Sequence, residues 1–128
     1  MSREDAIALW DRARQALSSA EQLRDFDPES SASRSYYAAF FAVSAWFALR
    51  DIFFKKHSAV RAAVNLELVR AGLWPQSFSK TYAFLLSLRS TADYGMKTRV
   101  SREEAEKAAA AHEIIEAVSR LEPAIFSL

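Results

Sequence analysis

From Tyr36 to Leu49 the chain reads Tyr-Tyr-Ala-Ala-Phe-Phe-Ala-Val-Ser-Ala-Trp-Phe-Ala-Leu, a nearly unbroken apolar run between Arg34 and Arg50. At about 14 residues it is too short to cross a bilayer, which takes about 20. Helical spacing puts Tyr36, Phe40, Val43 and Phe47 on one line and Tyr37, Phe41, Ser44 and Ala48 on the next. A helix apolar over so wide an arc has to be covered on several sides. The segment is therefore expected to be the central helix of a bundle, or to form a dimer interface as well. Ala38, Ala42 and Ala45 would let neighbouring helices approach closely.

The remaining sequence supplies the covering helices. Asp27-Pro28 starts the central one, with Asp27 as cap and Pro28 at the first helical position, and it is expected to run to Asp51. Before it, Ala6, Trp10, Ala13, Leu17 and Ala20 define a first helix from Ser2 to Arg24, with Ser2 as its cap. Ile52 to Lys56 reads as a connector. A third helix is expected from Ser58 to Ala71, with Val60, Ala63, Val64, Leu66 and Val69 inward, ended by Gly72 as a left-handed cap. Leu73-Trp74-Pro75 turns the chain into a fourth helix, from Ser77 or Ser79 to Tyr94, which carries Phe78, Tyr82, Leu85, Leu86 and Leu88 and stops at Gly95. Ser101-Arg102-Glu103-Glu104 is a capping box for a fifth helix, which Pro123 ends. With only two Gly and three Pro in 128 residues, a sandwich or barrel lacks its turns. The expectation is one all-α domain over residues 1–128, an antiparallel bundle of four long helices and one shorter one.

The residues that are missing narrow the chemistry. There is no Cys and there are only two His, so neither a thiolate nor a multi-histidine metal site is expected, and no cofactor. Two isolated glycines cannot build a phosphate-cradling loop, and there is no Gly-x-Ser-x-Gly elbow. Met1 to Asp5 is polar and lacks the apolar core of a signal peptide, so a cytoplasmic location and no membrane association are expected. The net charge of +1 conceals a division. Residues 50–102 carry ten basic and three acidic groups, a net of +7, whereas 103–128 carry two basic and six acidic, a net of −4. A basic middle can form a phosphate footprint unless the acidic ends fold over it.

Three features could carry function. The first is Arg89-Ser90-Thr91-Ala92-Asp93-Tyr94, which ends the fourth helix; Arg89 and Asp93 share a face, in the plainer reading as a surface ion pair. The second is Ser33-Arg34-Ser35-Tyr36-Tyr37, where Arg34 could stack on an aromatic ring and present itself to a phosphate beside Tyr37, or simply pair with an acid such as Asp93. The third is Lys55-Lys56-His57-Ser58, two lysines and a potential acid–base group ahead of a helix start, or else an exposed loop. His112, among Ala and Glu, is read as an exposed or partly packed residue.

Together, Ser33 to Phe40, Lys56-His57-Ser58 and Arg89 to Gly95 resemble the HEPN superfamily of small helical proteins. The similarity is greatest to its short bacterial and archaeal branch, with an Arg-x-x-Ala-Asp-Tyr ending. The resemblance implies a four- or five-helix bundle that dimerises and works with RNA or nucleotides. Many members are metal-independent ribonucleases in toxin–antitoxin pairs, often with a minimal nucleotidyltransferase as partner. Their catalytic motif is an Arg followed four to six residues later by His. Arg89 matches the Arg; Asp93 and Tyr94 stand where the His would fall. Cleavage would therefore need Arg89 and Arg34 to hold the phosphate, and His57 to replace the motif His. The provisional catalytic set is Arg89, His57 and Asp93, and the provisional phosphate-binding set is Arg34, Tyr37, Lys55, Lys56, Arg89 and Tyr94. A non-catalytic nucleotide-binding subunit and a purely structural dimer are the competing readings.

Overall fold

A computed structural model describes residues 2–128. Six α-helices carry the fold: α1 (Ser2–Leu23), α2 (Pro28–Ala48), α3 (His57–Ala63), α4 (Gln76–Tyr94), α5 (Arg102–Lys107) and α6 (Ala111–Leu121). A π-helical turn, Val64–Val69, extends α3, and a short 3₁₀ segment, Ala108–Ala110, joins α5 to α6. No strand occurs among the described residues. Counting α5 to α6 as one interrupted rod, this is the expected helical bundle of four long helices and one shorter one.

The wide apolar arc of α2 is covered as its sequence demands. α1 lies along one side, α4 and the α5–α6 rod along others. Tyr36, Ala39, Val43 and Phe47 are fully or almost fully buried, as are Ala6, Trp10 and Ala13 of α1, Tyr82 and Leu85 of α4, and Ile114 and Ile115 of α6. Burial of each large side chain contributes about 1.5–3 kcal/mol. Alanines at 38, 42 and 45 of α2 are all fully buried, so the neighbouring helices do come in close. The Ser31 hydroxyl, also buried, donates to the Ala20 carbonyl at 2.7 Å and ties α1 to α2. The chain end closes over α1: Phe126 packs on Trp10 with ring centres 5.1 Å apart, and Trp10 Nε1 donates to the Ser127 carbonyl.

Local signals decide most boundaries. Asp27 accepts from the Ser30 N–H, with Pro28 behind it, and Ser101 and Glu104 form the full capping box. Gly72 takes φ +84, the left-handed turn expected of it. Four details differ. α2 stops at Ala48 rather than Asp51, because the Arg50 and Asp51 N–H groups turn back to Phe47 and Ala48 carbonyls and Asp51 adopts φ 58. Ser2 does not cap α1; its hydroxyl donates to the Asp51 carboxylate instead. α4 begins directly after Pro75, at Gln76. In the third helix Leu66, one of the apolar residues expected to define it, is 54% exposed, while Leu68, not among them, is fully buried. Val60, Val64 and Leu68 fall at i, i+4 and i+8, one line down the helix, and all three are buried.

Candidate functional site

α2 and α4 run side by side, and the start of α3 meets them. This places residues from all three sequence features around one ring, that of Tyr37. Arg89, on the last turns of α4, donates from one terminal nitrogen to the Tyr37 hydroxyl at 3.2 Å and to the Tyr94 hydroxyl at 3.4 Å. Its guanidinium carbon stands 5.7 Å from the centre of the Tyr37 ring and 5.2 Å from that of Tyr94. Arg34, three residues before Tyr37 on α2, approaches the same ring to 4.8 Å. Two cations from different helices thus share one aromatic face system, an arrangement favoured by the ring quadrupole.

Asp93 belongs to Arg89, not to Arg34. Its carboxylate lies 3.1 Å from Arg89 Nε and accepts from the Ser33 hydroxyl at 3.0 Å. The Arg89 contact is ionic, with the Nε–H not aligned for a hydrogen bond. The Arg89 side chain is only 13% exposed. Desolvation works against its charge, but the hydrogen bond to Tyr37 and the neighbouring Asp93 more than restore it, so the guanidinium is held charged. The plainer expectation of an Arg34–Asp93 pair is therefore wrong. The i,i+4 spacing on α4 gives Arg89 first access to Asp93, and Ser33 takes the remaining carboxylate oxygen.

His57 opens α3 and turns its ring into the α2 aromatics. Its centre is 4.7 Å from that of Phe40, 5.9 Å from Tyr37 and 5.5 Å from Tyr36. Its Nδ1 lies 2.7 Å from the Tyr36 hydroxyl, which in turn accepts from the buried Tyr82 hydroxyl at 3.5 Å. With Tyr82 donating to Tyr36, the Tyr36 proton is directed to Nδ1, and the neutral imidazole carries its own proton on Nε2. Burial, followed by the charge of Arg89, pushes the His57 pKa below 6.5, with Asp93 opposing. Burial likewise raises the Tyr36 phenol to about 12, so it stays protonated. The sequence pattern does not reveal this triad: Tyr36 and Tyr82 look like core aromatics, and their link to His57 spans three elements.

The fold therefore gathers Arg34, Tyr37, His57, Arg89, Asp93 and Tyr94, with Lys55 and Lys56 in the connector immediately before His57. Both lysines are exposed, and neither forms an ion pair or side-chain hydrogen bond among the described residues. His112 is exposed and paired with Glu116. Two open clefts flank Arg34. One, of about 310 Å³, is lined by Asp27, Glu29 and Asp93 together with Ser33 and Arg34. Glu29 is held ionised there by Arg99. The other, of about 330 Å³, is lined by Arg12, Gln15, Ala16, Ser19, Arg34 and Phe41 and carries no acid. No group of three or more metal-ligating residues occurs among the described residues.

This bundle, with its α2–α4 arginine site, places the molecule among small helical domains. The HEPN domain matches residues 6–121, nearly the whole helical part, and the chain belongs to that family. It is 38% identical over 95 residues to a protein of Thermotoga maritima (strain MSB8) named UPF0332 protein, an alignment that takes in 73% of this chain and 72% of that one. The name of that relative states no activity. HEPN domains are often tied to ribonuclease or toxin–antitoxin roles, and they often dimerise.

Proposed function

We propose that this HEPN protein binds RNA or a nucleotide through the arginines that meet at Tyr37, as one component of a toxin–antitoxin or defence pair with a minimal nucleotidyltransferase. The observation that carries the reading is the unequal treatment of the two cations. Arg89 is neutralised by Asp93 and fixed by two tyrosines, whereas Arg34 stacks on Tyr37 and has no carboxylate partner among the described residues. A guanidinium left free beside an aromatic face suits a phosphate with an adjacent base.

A second reading, metal-independent RNA cleavage, is favoured by His57. Held neutral with its proton on Nε2, His57 can donate a hydrogen bond to a phosphate oxygen beside the fixed arginine while the 2′-OH attacks the phosphorus, its proton passing to water and the leaving 5′ oxygen taking one from water. Asp93, engaged by Arg89 and Ser33, positions the arginine in either reading. The test takes purified protein with RNA in EDTA and measures both retention and cleavage, alongside Arg34→Ala, Arg89→Ala and His57→Ala. The expected result is salt-sensitive RNA binding that Arg34→Ala weakens about tenfold, the lower end for one charged contact. Cleavage lost in both Arg89→Ala and His57→Ala would establish the nuclease reading. Wild-type protein that binds neither RNA nor nucleotides would overturn both.

A further inference from the structure

We infer that the groove between α1 and α2 is a second nucleotide subsite, which carries single-stranded RNA away from the Tyr37 centre along Phe41 and Arg12. This inference rests on the RNA-binding reading above and gives it a direction. Tyr37 and Phe41 lie one turn apart on α2, with ring centres 5.8 Å apart and planes tilted by 35°. Each has a guanidinium over it: Arg34 at 4.8 Å from Tyr37 and Arg12 at 5.8 Å from Phe41. The result is a ladder of two aromatic rings and two arginines along one edge of the bundle. Neither arginine has an ion-pair partner among the described residues.

Three observations select this direction and this ligand. The groove holds Arg12 and Arg34 with Gln15 and Ser19 and no carboxylate, whereas the cleft on the other side of Arg34 holds Asp27, Glu29 and Asp93, which would repel a phosphate. Both rings are only partly buried, and a base would stack on the open part of each beside the guanidinium that lies over it. The ring spacing exceeds the about 3.4 Å rise of a stacked duplex strand. Bases seated on Tyr37 and Phe41 would therefore be drawn apart from each other, as in an extended single strand on an aromatic platform. Arg12 and Arg34 are then placed for consecutive phosphates.

The experiment compares uridine monophosphate with an eight-residue oligouridylate, by fluorescence anisotropy, for wild type, Arg12→Gln and Phe41→Leu. Arg12 is exposed, and Leu keeps apolar bulk at position 41, so both variants should retain the bundle; circular dichroism checks this. The expected outcome is a loss of about five- to tenfold for the octamer in each variant, little change for the mononucleotide, and for Arg12→Gln a shallower salt dependence, by about 0.7 in log–log slope. Octamer binding that depends on Arg34 but is unmoved by Arg12→Gln and Phe41→Leu would overturn the subsite and leave the central site standing. Absence of any RNA binding by wild type would overturn both. A change in self-association without a change in RNA affinity would show that this face meets a second copy of the chain, and the subsite would fall.

Discussion

At the scale of single residues, the most informative group is His57. Its ring is wedged between Tyr36, Tyr37 and Phe40, and its Nδ1 is engaged by the Tyr36 hydroxyl. Burial first, and the Arg89 charge second, hold its pKa below 6.5. A histidine that binds its proton less well when folded lends full stability above its unfolded pKa and loses it as pH falls through the folded value. Wild type should therefore lose stability relative to His57→Gln as pH drops from about 7 to about 5, a difference read from urea unfolding at both ends. An NMR titration should place His57 below 6.5. Tyr36→Phe should raise it, because the hydroxyl proton directed at Nδ1 favours the neutral ring. A downward move in Tyr36→Phe would show that Nδ1 is the donor and reverse the tautomer.

At the scale of elements, the end of α4 is set by Gly95 through space rather than through backbone angle. Its φ of −70 suits any residue. A Cβ there would sit 2.5 Å from the Thr91 carbonyl oxygen and 2.7 Å from that of Thr98, both backbone atoms that cannot swing aside. Gly95→Ala is expected to cost about 1–3 kcal/mol, as overpacking does, seen as a lower urea midpoint with an unchanged slope. Gly72→Ala meets no atom within 4 Å and should cost only about 1–2 kcal/mol, for its positive φ. The sequence makes Gly95 legible as a stop but not the reason, since Thr98 returns to the helix end only in three dimensions. The same limit applies elsewhere. Caps at Asp27 and Ser101 and the inward line of α1 are local and could be read off. The burial of Leu68 could have been read as well, since it continues the Val60–Val64 line, whereas the His57–Tyr36–Tyr82 link could not, because it joins residues that look like ordinary core positions. Arg34, Tyr37 and Arg89 were legible as candidates through motif spacing. The Arg89–Asp93 pair was legible too, from its i,i+4 spacing on α4; that the two meet Tyr37 and Ser33 of α2 was not, because it depends on how α2 meets α4.

At the scale of the whole molecule, the charge division of the sequence is partly spent on holding the bundle together. Arg99 pairs with Glu29, Arg102 with Asp25, and Arg50 with Glu122, so several cations of the basic middle are covered by acids from elsewhere in the chain. What remains open is a free arginine edge on α1 and α2 and, adjoining it, an apolar groove of about 190 Å³ lined by Leu9, Phe40, Ser44, Ile52, Phe53 and Phe54. No helix among the described residues is long and apolar enough to cross a membrane, so this groove is not part of a spanning helix. Ile52 and Phe53 are 42% and 58% exposed on its rim. In a family whose domains often dimerise, this groove is the surface we propose for a second copy of the chain. It would set two Tyr37 centres near a shared cleft, since Phe40 touches both the groove and the His57 ring. Phe53→Glu places a charge in that contact while disturbing little of the fold, because the side chain is already more than half in water. Sedimentation equilibrium is then expected to show a dimer for wild type and a monomer for Phe53→Glu, with the helical signal unchanged. If the two centres act on one RNA strand, the monomer should also lose affinity for long strands while keeping that for a dinucleotide, through the loss of effective concentration alone. A Phe53→Glu protein that remains dimeric would move the interface to another face. One that becomes monomeric with its long-strand affinity intact would mean that each centre binds RNA independently.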